Sequence, residues 1–141
     1  MAEQRRDIMN ESARTLHPVL TQARRAQLVA AGTALFHAGE YFAAHEAWEE
    51  VWRSTTPEPR DLFQGLVQLA AAFHHLRERQ RPDVARRVLD KARRRLERVA
   101  PEAHGLDVAA LLVQIARWES WLTTEDGEPP PAPELRWSGH G

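Results

Sequence analysis

From Leu62 to Leu76 the chain reads LFQGLVQLAAAFHHL, without a single Asp, Glu, Lys or Arg. In a sequence that is otherwise 28% charged, such a run marks a helix covered by protein on most sides. Leu62, Phe63, Leu66, Ala70 and Phe73 recur at helical spacing, and Gly65, Ala70, Ala71 and Ala72 allow neighbouring backbones to come close. The run falls short of the roughly 20 apolar residues that a bilayer span requires. A central helix needs other helices around it.

Four further segments have a period near 3.6, and no stretch alternates as a strand does. The first, about Thr21 to Ala38, has Thr21 as its N-cap and stops at Gly39. The second, about Tyr41 to Arg53, breaks at STTPEP. The central segment runs from about Pro59 to Arg79. The fourth, about Pro82 to Val99, has proline in its first turn and an apolar stripe of Val84, Val88, Leu89, Ala92, Leu96 and Val99. The fifth, about Asp107 to Leu122, follows the break PEAHG and buries Val108, Leu111, Leu112, Ile115, Trp118 and Leu122. The fold class is therefore all-α, a compact bundle of about five helices built from antiparallel helix hairpins. Its stacking loosely resembles tetratricopeptide geometry. The domain covers residues 21–122, preceded by a flexible N-terminal arm over 1–20. Residues 123–141 contain the proline cluster PPPAP among glycine and acidic residues, and read as an extended or disordered Pro-rich tail.

Composition removes several function classes. The 141 residues suit one domain. With 19 Lys and Arg against 20 Asp and Glu, the formal charge of -1 supplies no global field for nucleic acid or an anionic membrane. The absence of cysteine excludes disulfides, thiolate nucleophiles and Cys-ligated zinc. The first residues carry no apolar h-region. The reading is a cytoplasmic, soluble protein without a membrane partner. No G-x-S-x-G, Walker or dinucleotide pattern occurs.

The chemistry concentrates in GEYFAAHEAWEEVWR, residues 39–53. On a wheel of about 100° per residue, Tyr41, Ala44, Trp48 and Trp52 form the packing face, with His45 and Glu49 at its edge, Glu46 borderline and Glu50 outward. The central helix carries Gln64, Gln68, Ala71 and His75 along one line. Buried amides and imidazoles cost several kcal/mol unless hydrogen-bonded, so this line is expected to meet His45 and Glu49 in a polar cluster between the second and third helices, walled by Trp48 and Trp52.

Three functions suit that cluster: a structural network fixing helix register, a pocket for a small molecule or protein partner, or a metal-assisted hydrolase. In the pocket reading the binding residues are His45, Glu49, Trp52, Gln64, Gln68 and His75. In the hydrolase reading His45, Glu49 and His75 hold a divalent metal and Glu46 is the base. HEAWE places glutamate where a zinc HExxH helix has its second histidine, and no ExxH pair occurs. A homo-oligomer stays open.

A basic rival lies between Arg77 and Arg98, with ten Arg or Lys against four acidic residues. Arg87, Lys91, Arg94, Arg95 and Arg98 form a stripe that could track phosphates. A solvated helix face with pairs such as Asp90–Arg94 accounts for the same pattern, so the sequence argues against nucleic acid.

FHAGEYFAAHEAWEEVWR followed by FQGLVQLAAAFHHL closely resembles the paired signature of the domain of unknown function 309 family, over about residues 23 to 100. The motif positions here are Gly39, Glu40, His45, Glu46, Glu49 and Trp52, then Gln64, Gly65, Gln68 and His75. The resemblance implies a bundle of helical hairpins and supplies no catalytic assignment. The leading expectation is a binding module for a small ligand or protein partner.

Overall fold

The charge-free stretch forms the interior of the third of five helices in the computed structural model, which describes residues 20–54 and 60–138. The helices are α1 (Gln22–His37), α2 (Tyr41–Ser54), α3 (Arg60–Arg77), α4 (Pro82–Glu97) and α5 (Val108–Thr124). The all-α bundle of hairpins is borne out: α1 packs on α2, α2 on α3, α3 on α4 and α4 on α5. Residues 1–19, which contain nearly all of the expected arm, and 55–59, which contain the expected start of the third helix at Pro59, lie outside the described residues.

Local chemistry sets the helix ends. Thr21 Oγ1 accepts the Arg24 N–H at 3.0 Å, and Asp107 Oδ1 accepts the Ala110 N–H at 2.9 Å, each satisfying a free amide of a first turn. Gly39 takes φ 82° to reverse the chain between α1 and α2.

On α3, Leu62, Phe63, Gly65, Leu66, Leu69, Ala70, Ala72 and Phe73 are buried, more than half of the helix circumference. A Cβ at Gly65 would lie 2.8 Å from Leu96 Cγ, which is how closely α4 approaches. An aromatic centre joins the elements. Phe73 packs edge-on against Phe36 of α1 and Trp118 of α5, with ring centroids 5.8 and 5.0 Å apart, and Tyr41 of α2 lies 5.4 Å away. Trp48, fully buried, faces α1: a Cβ on Gly32 would come within 2.3 Å of its Nε1.

Two regions depart from the sequence expectation. The PEAHG break contains a small hairpin, β1 (Glu102–Ala103) paired antiparallel with β2 (Leu106–Asp107). Its turn places His104 and Gly105 at φ 50° and 92°, the left-handed pair that a tight two-residue connection requires. Strands of two residues are too short to show alternation.

The second departure corrects the expectation of a disordered tail. Residues 125–138 are extended, as their prolines favour, but they form a strap held to the bundle. The indole of Trp121 donates to the Gly127 carbonyl at 3.1 Å and that of Trp118 to the Pro131 carbonyl at 2.9 Å. Gln114 accepts the Glu134 N–H and donates to its carbonyl. Further on, the Leu135 N–H donates to His37 Nε2 at 3.0 Å, the Trp137 indole donates to Thr33 Oγ1 at 2.9 Å, and Leu135 is buried. Trp137 also bridges to Leu106 beside the hairpin. Side-chain partners on α1 and α5 supply what the strap's own composition lacks.

Candidate functional site

Antiparallel pairing of α2 and α3 sets what can meet between them. Tyr41 and Phe42 at the start of α2 lie against Phe73 and His74 near the end of α3, with ring separations of 5.4 Å for both pairs. Arg60, at the start of α3, places its guanidinium 5.3 Å above the Trp52 ring at the far end of α2. The seam therefore runs along Phe42, His45, Glu49 and Trp52 on one helix and from His74 to Arg60 on the other.

His45 and Glu49 are where the wheel placed them, each about one-quarter exposed. Their partners are not the expected ones. His45 Nδ1 stands 3.6 Å from Glu49 Oε2, beyond hydrogen-bond reach, and Glu49 Oε1 accepts from Arg53 Nη2 at 3.0 Å. Glu49 is thus occupied along its own helix. Among the described residues, no hydrogen bond joins His45 or Glu49 to Gln64, Gln68 or His75.

Among the described residues, His45 Nδ1 and His74 Nδ1 at the seam and Gln68 Oε1 on α3 are buried without a hydrogen-bond partner. His74 Nδ1 has Glu78 Oε2 at 3.2 Å, but at an angle that makes no hydrogen bond. Above them lies Phe42, 52% exposed, its ring parallel to the His45 imidazole at 6.0 Å between centroids. An exposed aromatic ring between two imidazoles is an apolar contact placed directly over unsatisfied polar atoms.

Four expectations are corrected. Trp48 does not wall the seam; its indole points into the core toward the Val29 carbonyl, 3.4 Å away. Val51, not Trp52, completes the buried face of α2, leaving Trp52 half-buried at the seam's edge. His75 turns from the seam into a basic neighbourhood. Burial first, and then His74, Arg79 and Arg81, hold its imidazole below the usual histidine range. Finally, the expected metal set of His45, Glu49 and His75 does not assemble: among the described residues no three His, Asp or Glu side chains are grouped as a metal ion requires. Glu46, the expected base, is exposed. Gln64 stays half-buried on α3.

The residues that sequence reasoning missed are Phe42 and His74. One signal was available: His74 and Glu78 repeat the i, i+4 spacing of His45 and Glu49.

The basic stripe of α4 is interrupted. Arg95 and Arg98 both turn to Asp61 of α3, at 3.0 and 3.4 Å, and Arg94 pairs with Asp90 at 3.0 Å. Burial works against the charge of Arg93, but Glu119, Asp90 and Glu97 together hold it above its usual range. Groups neutralised within the chain release few counterions to a polyanion. No helix among the described residues is long and apolar enough to cross a membrane.

Comparison with known families gives one match. The family described as "Domain of unknown function (DUF309)" aligns with residues 29–88, from the middle of α1 into α4, and so contains the whole seam. No curated relative matches the chain.

Proposed function

We propose that this chain, whose residues 29–88 match the DUF309 family model, is a binding module and that the α2–α3 seam receives a protein partner. The observation that carries the reading is Phe42, half-exposed and stacked on His45, beside buried nitrogens of His45 and His74 that have no hydrogen-bond partner among the described residues. Leaving a buried polar group unpaired costs roughly 1–3 kcal/mol, so an arrangement that leaves His45 and His74 unpaired beside an exposed aromatic ring fits a surface kept for a partner better than a network that fixes helix register.

The chemistry of the seam selects the partner. The carboxylates of Glu49 and Glu78 flank the two imidazoles and accept only. A matching segment brings N–H donors, with lysine or arginine favoured, beside an apolar side chain that covers Phe42. Aromatic contacts ringed by polar groups are the usual anchors of protein interfaces. A metal-assisted hydrolase is not carried forward, because its ligand set is not brought together.

The test places a photo-crosslinking residue at position 42 of the full chain in a lysate of its native cells, with position 113 as control, since Val113 on α5 is equally exposed at 54%. The reading expects one discrete adduct from position 42, absent from position 113 and lost when Glu49 is reversed to lysine. Equal labelling from both positions, or none from position 42, would remove it. An adduct of the chain with itself would identify the partner as a second copy.

A further inference from the structure

A second cavity lies on different elements. Between α1 and the segments that carry the β1–β2 turn and the end of the strap is a cleft of about 680 Å³, within the range of sites for drug-sized ligands. Its walls are mostly apolar: Val29 and Ala30 of α1, Phe63 of α3 and the Trp137 ring. Among the described residues its ionisable lining groups are Arg25, His37 and His104, and none of those residues lines it with a carboxylate.

The polar groups are held in place. The Trp137 indole is fixed by Thr33, whose own hydroxyl donates to the Val29 carbonyl at 2.9 Å. His37 accepts the Leu135 N–H through Nε2, which puts the ring proton of the neutral imidazole on Nδ1 as a donor. Arg25 lies 5.6 Å from the Phe63 ring centroid and has no carboxylate partner among the described residues. The cleft thus combines one permanent cation, two imidazoles, and an aromatic and aliphatic body.

We infer that this cleft binds an apolar monoanion, a medium-chain or aromatic carboxylate, with its carboxylate on Arg25 and its body between Phe63 and Trp137. A charge-assisted pair with a guanidinium in a mostly apolar site selects an anion over its neutral analogue. A single permanent cation matches one charge and not a polyphosphate. The site is independent of the seam, and the two can fail separately.

The experiment is a fluorescence titration of the folded full chain with 1-anilinonaphthalene-8-sulfonate, an apolar monoanion, followed by displacement with decanoate and with decanol. One saturable site per chain is expected, with decanoate displacing the dye at a concentration about tenfold lower than decanol or less. Arg25→Gln should weaken decanoate about tenfold while leaving decanol unchanged. Ala30→Phe, which fills the cleft from an exposed position on α1, should abolish both while retaining the wild-type circular dichroism melt. Three results overturn the inference: no saturable dye binding, equal competition by decanoate and decanol, or undiminished binding in Ala30→Phe. A dimer whose interface covers the cleft would appear as absent dye binding, and overturns it as well.

Discussion

The α2–α3 seam and the cleft beside α1 are built in opposite ways. The seam joins residues 42–78, all inside the family match, and leaves His45 Nδ1 and His74 Nδ1 buried without hydrogen-bond partners among the described residues. The cleft is closed by segments up to 104 residues apart in sequence, about half of its lining outside that match, and there Thr33, His37, Leu135 and Trp137 satisfy one another. Polar satisfaction is thus achieved where the chain returns from farthest away. The gaps in the seam are local, and do not reflect a loosely packed fold.

The comparison is broken most severely by disturbing what both regions share, the contact of α1 with α2. Trp48→Ala removes a fully buried indole at the centre of that contact, and should lower unfolding free energy by about 3–5 kcal/mol in urea denaturation. Gly32→Ala approaches the same indole from the other side. Its Cβ would lie 2.3 Å from Trp48 Nε1, and the ring has no free space to yield, so a loss of about 1–3 kcal/mol is expected.

A smaller change separates the regions. His37→Ala combined with Trp137→Ala removes the acceptor of the Leu135 amide and the indole donor to Thr33. Global stability should fall by about 1–3 kcal/mol. Hydrogen exchange should accelerate at Leu135 while the α2 and α3 amides keep their protection relative to the new global stability. Accelerated exchange throughout α3 would show that strap and seam are one cooperative unit.

The smallest expected effect concerns pH. The His75 imidazole is held below its ordinary range in the folded chain, so the unfolded chain binds that proton more readily. Its contribution is therefore lost as pH falls from the ordinary histidine range through the lowered folded value. Stability measured between about pH 8 and pH 5 should decline less steeply in His75→Asn than in the wild type. An unchanged slope would contradict the basic neighbourhood assigned to His75.

Much of the fold could be read from the residues. The charge-free run became the central helix, and the caps at Thr21 and Asp107 and the stop at Gly39 fall where the chemistry of helix ends places them. What escaped had physical reasons. Leu135 and Trp137 are apolar groups within a composition that reads as disordered, and their partners lie on helices as far as 104 residues away. The wheel points to His75 because it gives relative angles but no origin on a helix buried over more than half of its circumference. The origin is set by Phe42 meeting His74 across the hairpin, a contact dependent on register. The expected network failed for a local reason: Arg53, one turn beyond Glu49, already supplies its donor.

On the proposed reading the seam serves a partner and not helix register. Its most direct test is Gln68→Leu, compared with the wild type by urea unfolding. Because Gln68 Oε1 is buried and unpartnered, an apolar side chain of similar size should leave the protein equally stable or raise its unfolding free energy by up to about 1 kcal/mol. A loss of about 1–3 kcal/mol would mean that Gln68 belongs to a satisfied structural network, and would contradict the account.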